Sequence, residues 1–413
     1  MSGTQAEFGY SCWDFLFTFA GLPLSLLDIV LDMFAAASFY REKAFVCLGV
    51  LVLLLVGSSL LAQAYSWLWY SYDNFEMKTK IEKLPSRGLL RLLHLFQLGI
   101  YFRHAGVLEM YVKSFYTRKS ESAGKAMFLN QDLSMLRIIE TFSESAPQLT
   151  LMLTIILRKG QLDPVTVLKA IGSASAIAFS VTTFHRAMRS FLPEKKKQKI
   201  TSSAVYFIWN LLLISSRLSA LALFASVLPC FIFTHFICSW LVLFFFAWRS
   251  KTDFMESPGG EWLYRATVGL IWYFNWFNVV EGNTRNRTVL YHGYILIDIS
   301  ILCGVWCWKM STDPLDFVNQ PSYASITAAC VVGVYILGLL IKAVYYKCFH
   351  PNLDGDELKG ASTEQQPEDE VDGMFRNMGA VAPACCNKRM RKLSENFYSQ
   401  PAAPASPPEE SAS

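Results

Sequence analysis

The sequence predicts an all-α polytopic membrane protein with eight transmembrane helices and two re-entrant helices in two pseudo-repeats. Three observations lead there. Of 413 residues, 53% are hydrophobic and only 17% are charged, a balance too apolar for a soluble domain. Eight apolar segments reach the length of about 20 residues that a bilayer core demands of a helix. The loops between them concentrate lysine and arginine on one side.

The first segment, near 13–36, follows an N-terminus with Glu7 and no basic stretch, so it is expected to stay as an anchor rather than leave as a signal peptide. The second runs near 44–68. A segment near 88–110 is apolar but interrupted by Arg91, His94, Arg103 and His104, which predicts a helix that enters the membrane and returns. Such backbone is tolerated only inside protein or along a wet cavity, so it should pack within the bundle. Spans near 133–157 and 165–188 complete the first half, 1–190. A basic cytosolic linker, 191–202, leads to spans near 203–225 and 230–249. A second interrupted segment near 261–280, with Arg265 and Asn275, precedes spans near 288–308 and 323–346 and ends the second half, 203–350. The same order of elements occurs twice, and both halves begin with an outward helix, so the repeats are expected in parallel orientation.

Charge sets the orientation. One side holds Lys78, Lys80, Lys83 and Arg87, then Lys113, Arg118, Lys119 and Lys125, then Lys195, Lys196, Lys197 and Lys199, then Arg249, Lys251, Arg285 and Arg287. The other side holds Arg41, Lys43, Arg158, Lys159 and Lys309. By the positive-inside rule both termini face the cytosol. The glycosylation sequon Asn286-Arg287-Thr288 is then on the wrong side to be used.

Several charges fall where lipid should be. Asp28 and Asp32 share a face of the first helix, and each would cost roughly 2.5–3.5 kcal/mol at the bilayer centre. Arg137, Glu140 and Glu144 repeat the pattern in the third span, with Pro147 freeing a backbone carbonyl. Arg217 and Asp298 lie within the second half, while Asp14, Asp132, Arg186 and Glu281 lie nearer the cytosolic boundary. Arg137, Arg186 and Arg217 are natural partners for the carboxylates. Two readings stand together: ion pairs that fix helix packing, and a polar seam along which a lipid headgroup crosses while its acyl chains stay in lipid.

Enzyme chemistry finds little support. There is no glycine-rich phosphate loop, no His-x-x-x-His metal pair and no cysteine-histidine spacing for zinc, so neither metal nor cofactor is expected, nor a nucleic-acid partner. His94, His235 and His292 read as satisfied interior residues. Cys47, Cys238, Cys303 and Cys330 read as small buried side chains, whereas Cys385-Cys386 beside Lys388 in the tail is a candidate for palmitoylation.

From 351 to 413 proline, serine, glutamate and glycine take over. This tail should be disordered and accessible. It contains Asp369-Glu370-Val371-Asp372 followed by Gly373, which suits an executioner caspase: the protease's arginine fork takes the Asp372 carboxylate, and Gly373 leaves the scissile carbonyl open. A fortuitous acidic run is the competing reading. Beyond it, Lys388, Arg389, Arg391, Lys392 and Phe397 form a basic patch with apolar residues at helical spacing, suited to a protein face or to anionic lipid.

A set of short blocks then points to a family. Asp132-Leu-Ser-Met-Leu-Arg137, Glu140-Thr-Phe, Glu144-Ser-Ala-Pro-Gln148-Leu, Thr252-Asp-Phe-Met255, Glu261-Trp-Leu-Tyr-Arg265, Trp276-Phe-Asn-Val, Glu281-Gly-Asn-Thr-Arg285 and Val344-Tyr-Tyr with His350-Pro351 together resemble the XK-related membrane proteins. The likeness covers the span region to about residue 351 and is greatest to the caspase-activated, lipid-scrambling branch. It implies energy-independent scrambling of membrane phospholipids that exposes phosphatidylserine on dying cells, at the plasma membrane. It also implies delivery by a single-span immunoglobulin-type chaperone, basigin or neuroplastin. The path it implies runs over Asp14, Asp28, Asp32, Glu140, Glu144 and Asp298. Relatives place Asp where this chain has Thr183, before Phe184-His185-Arg186, so no acidic partner for Arg186 is carried over. The released tail would act as an inhibitory latch. Whether higher-order assembly follows cleavage stays open. A solute transporter or channel, and a non-transporting subunit of a membrane complex, remain the alternatives.

Overall fold

The computed structural model describes residues 29–75, 77, 79–117, 120–160, 164–190, 198–250, 252–278, 284–312 and 321–349, which form α-helices joined by short turns, with no strand among them. Asp14, Asp28, residues 191–197, Glu281, the sequence Asp369–Gly373 and the basic patch from Lys388 to Phe397 lie outside the described residues.

Helical residues 29–41 are α1. There follow α2 (Phe45–Tyr72), α3 (Arg87–Leu95), α4 (Gly99–Thr117), α5 (Ser120–Glu140), a π-helical turn (Thr141–Ser145), α6 (Ala146–Lys159) and α7 (Pro164–Ser190). The second half comprises α8 (Ile200–Val227), α9 (Phe231–Arg249), α10 (Pro258–Phe274), α11 (Thr284–Thr312) and α12 (Pro321–Val344), which closes on a π turn, Tyr345–Phe349.

Six helices among the described residues are long and apolar enough to cross a membrane: Phe45–Tyr72, Val167–Arg189, Ile200–Val227, Phe231–Arg249, Asn286–Thr312 and Tyr323–Phe349. The sequence led us to expect eight. The first expected span falls mostly before residue 29, and the third is divided between α5, the π turn and α6, where Arg137, Glu140 and Glu144 interrupt the apolar run. The segment near 88–110 is two helices, α3 and α4, separated by a bend at 96–98 in which Gln97 takes a left-handed backbone (φ 62°). The segment near 261–280 is α10, ended by extended Asn275.

Local chemistry explains the boundaries. Ser86 and Ser257 cap α3 and α10 by accepting from the N–H of Leu89 (3.3 Å) and Gly260 (3.1 Å), and Pro258 occupies the first turn of α10, where its missing N–H costs nothing. Left-handed Gly160 stops α6. The π turn has a cause in Pro147, whose ring would collide with the Ser143 carbonyl four residues back. The chain widens instead, and the Ala146 N–H reaches the carbonyl of Thr141, five residues back.

Helix α8 sits at the centre. In its apolar window 67% of residues are buried, against 17% in the windows of α2, α9 and α12, whose outward side chains are left for lipid. The halves meet where Phe142 stacks on Phe274 (6.2 Å) and Tyr65 donates to Thr267 (2.9 Å). Cys303 is buried, but Cys238 and Cys330 face outward, so those two correct the reading of all four as interior packing. Small thiols are apolar enough for either environment.

Two of the blocks quoted above form one unit. Glu261 accepts from the hydroxyl of Thr252 and from the backbone N–H groups of Phe254 (2.9 Å) and Met255 (2.7 Å), while Arg265 donates to Thr252 and lies 3.6 Å from Glu261. Phe254 then stacks on Tyr264 at 4.4 Å. The carboxylate thus ties the turn after α9 to the start of α10. Replacing Glu261 by Ala strands two buried N–H donors, with an expected loss of about 3 kcal/mol. Thermal unfolding of the detergent-solubilised protein measures it; an unchanged midpoint refutes the role.

Candidate functional site

Among the described residues, five groups of buried or half-buried polar side chains bear on the site. In the first half, Asp32 of α1 is 4% exposed and accepts from the side-chain amide of Gln148 on α6. Glu140, just before the π turn, and Glu144, within it, are half-buried and within electrostatic range of Tyr101 on α4. Arg137, one turn earlier, stands in the same relation to His104. Ser143 donates to Ser58 of α2 (2.9 Å) and back to the Ile139 carbonyl (2.7 Å), so the widened turn is pinned to its neighbour helix.

A second group surrounds Arg103 of α4, which is buried. Its guanidinium donates to the hydroxyl (2.9 Å) and carbonyl (3.1 Å) of Ser66, lies 3.5 Å from Asp132 and covers the ring of Tyr70 at 3.8 Å. His94 completes it through Ser66 (3.0 Å) and the Leu90 carbonyl (2.8 Å). The interruptions that set the 88–110 segment apart are therefore what fastens it to α2 and α5.

Arg186 of α7 donates from Nη1 to Ser203 (2.6 Å) and to the Gln198 carbonyl (3.3 Å). Neighbouring His185 lies flat on Tyr206 at 4.1 Å and meets Gln198 at 3.1 Å.

The most compact constellation lies in the second half. Arg217 of α8, fully buried, donates to Asp298 of α11 (2.5 Å) and to the Tyr273 carbonyl of α10 (3.0 Å). His235 of α9 bridges the other Asp298 oxygen (3.1 Å) and the Tyr273 hydroxyl (3.0 Å). The carboxylate of α11 thus binds α8 and α9 directly, and Tyr273 of α10 joins both of its partners. Arg217 Nη2 has no hydrogen-bond acceptor among the described residues.

The fifth group was not legible in the sequence. Lys342 of α12 is 7% exposed, bonds His292 of α11 at 2.7 Å and lies over the Trp209 ring at 4.9 Å; His292 in turn meets Tyr335 at 2.9 Å. A lysine about two turns from the end of a span ordinarily extends toward water, so only its inward rotamer reveals it.

Outside the spans, Lys159 pairs with Glu42 in the turn before α2 and holds that carboxyl below the usual range, joining α6 to the short α1–α2 connection. Among the described residues no three His, Cys, Asp or Glu side chains converge as a metal site. What the arrangement offers is a set of fixed charges and dipoles inside an apolar bundle, most of them already bonded to a neighbour helix.

The family model for XK-related proteins matches residues 16–351, most of the chain and all of its described helices. This chain belongs to the XK-related family. It is 43% identical to a protein named XK-related protein 8 from Tetraodon nigroviridis over 95% of this chain and 98% of the relative. Proteins of the same name from Gasterosteus aculeatus and Pan troglodytes are 41% and 35% identical, covering 94% and 92% of this chain and 98% and 92% of their own lengths. The XK-related model ends at residue 351, where the tail begins. The alignment with the Tetraodon relative, over 404 residues, extends into that tail. Every quoted block lies within the matched region, and the Thr252 and Glu261 blocks make physical sense as the single cap described above.

Proposed function

We propose that this XK-related chain is a plasma-membrane phospholipid scramblase, not an enzyme, that lets lipids exchange between leaflets in both directions without an energy source. The observation that carries this reading is the set of buried and half-buried polar groups in an apolar helix bundle, Asp32, Glu140 and Glu144 in one half and Arg217 and Asp298 in the other. A headgroup moving along such groups trades hydration for fixed dipoles while its acyl chains remain in hydrocarbon. On this reading Asp14 and Asp28 belong to the same path.

The proposed topology has eight spans and two re-entrant segments, α3–α4 and α10, in repeats 1–190 and 203–350 joined by the linker 191–202, with both termini cytosolic. The six apolar helices and the loop charges support it. The tail, 351–413, is proposed to hold the protein inactive through Lys388, Arg389, Arg391, Lys392 and Phe397 until an executioner caspase cuts after Asp372, so that phosphatidylserine appears on apoptotic cells. A basigin- or neuroplastin-like single-span chaperone is the proposed escort, and assembly beyond the monomer is compatible with it.

The test is transfer of labelled lipid in liposomes holding the purified, caspase-treated protein and no nucleotide. Glu140→Leu is expected to slow that transfer roughly tenfold, about 1.4 kcal/mol on the barrier, with normal protein yield. Ion flux that tracks the same substitution without lipid movement would point instead to a channel or transporter.

A further inference from the structure

Helix α3 has three faces. Leu90 and His94, four apart, are buried, and His94 meets Ser66 of α2. Arg87 and Arg91, also four apart, share a second face and are exposed. Leu89, Leu92 and Phe96 share the face opposite the arginines and are exposed as well, with Leu95 beside them at 73%. Leucines below and arginines above is the division that holds a helix in the plane of a membrane interface.

Its depth agrees. α2 has 28 residues, about 42 Å of helix, against a hydrocarbon core of about 30 Å. α3 is fastened to α2 at Ser66, through His94, and at Trp67, through Arg91, five to six residues before α2 ends at Tyr72. That is about 9 Å from the helix end, which puts α3 at the boundary of headgroups and acyl chains.

Two of the carboxylates near it are held by neutral donors, and Asp73 is half-buried within electrostatic range of Arg103. Glu109 is occupied by the backbone N–H groups of Lys80 (3.2 Å) and Ile81 (2.9 Å), and Glu82 by the hydroxyls of Tyr70 (3.0 Å) and Thr79 (3.2 Å). Lys80, Lys83, Arg87 and Arg91 point out, and none of the four meets a carboxylate at ion-pair distance among the described residues. Arg87 lies over Phe75 (4.9 Å) and Arg91 over Trp67 (5.7 Å). Arg87 also donates from Nη2 to the Asn74 carbonyl (3.5 Å), and the remaining edge N–H groups of the two guanidiniums keep the geometry that fits phosphate oxygens.

We propose that α3 and the turn before it form a docking site for anionic phospholipid headgroups, with Arg87 and Arg91 taking the phosphate and Lys80 and Lys83 adding attraction. This site is separate from the polar groups inside the bundle. It depends on the orientation proposed above only for which leaflet supplies the lipid, the cytosolic one. The lipid would be a bound companion of the protein whether or not the protein scrambles.

Native mass spectrometry of the full chain released from a neutral detergent tests this by titration with phosphatidylserine, phosphatidylinositol bisphosphate or phosphatidylcholine. The intact protein should retain both anionic lipids in preference to phosphatidylcholine. Arg87→Gln/Arg91→Gln should weaken anionic-lipid binding about tenfold and leave phosphatidylcholine unchanged, with Arg87→Lys/Arg91→Lys recovering part of it. Lys80→Gln/Lys83→Gln, on the turn outside the helix, should weaken it by a smaller factor and serves if the arginine variant does not fold. Equal retention of anionic lipid by all variants, or no preference over phosphatidylcholine, overturns the proposal. So does displacement of the lipid by inorganic phosphate at equal concentration, which would mean a site for the free anion.

Discussion

Asp372→Ala protein in liposomes will show no rise in lipid transfer when an executioner caspase is added, whereas the unaltered chain will rise roughly tenfold or more. A tail that favours the closed state by about 1.4 kcal/mol holds back tenfold, and about 2.7 kcal/mol holds back a hundredfold. Either is within reach of a basic patch like that from Lys388 to Phe397 docked on one conformation and released from the other. The cut lies 23 residues after Phe349, at most about 80 Å of extended chain, so a protease can reach it without approaching the membrane. Replacing Asp369–Asp372 by the recognition sequence of an unrelated protease should transfer activation to that enzyme. If Asp372→Ala protein responds to caspase as fully as the original, the latch is wrong even though scrambling itself stands.

The helical class and most segment positions were legible because a bilayer demands long apolar runs, and α2, α7, α8, α9, α11 and α12 supply them. Composition also located Arg217 and Asp298 as charges out of place, and charge alone said that something must face them. It could not say that His235 would join them, since a histidine in an apolar helix is ordinary and only the meeting of α9 with α11 makes it a bridge. Lys342 was illegible for a related reason: its position near a span end suits a lysine reaching water, and its turn onto His292 and Trp209 is a tertiary choice. The split of the 88–110 segment was half legible. Arg91, His94 and Arg103 marked it as interrupted, but the bend at Gln97 and the outward leucines of α3 follow from how that segment seats on Ser66. The eight-span count fails to appear in full because residues before 29 are outside the described part and because Pro147 divides α5 from α6.

The pair Arg217–Asp298 separates packing from passage more sharply than any other. Asp298→Leu leaves a fully buried guanidinium holding only the Tyr273 carbonyl, and removing one partner of such a pair costs about 3–5 kcal/mol. Thermal midpoint and yield should both fall. Arg217→Met/Asp298→Leu removes both charges and keeps the volume, so it should recover most of that loss, because the cost of the single change lies in the stranded cation rather than in the missing attraction. His235 keeps its bond to the Tyr273 hydroxyl in either variant and reports whether the α9–α10 contact survives. The double variant is then the informative protein. If it folds at normal yield yet transfers lipid roughly tenfold more slowly, the pair serves the headgroup's path; if it folds and transfers lipid at the original rate, Arg217 and Asp298 are packing residues and the path must be sought along Asp32, Glu140 and Glu144 alone.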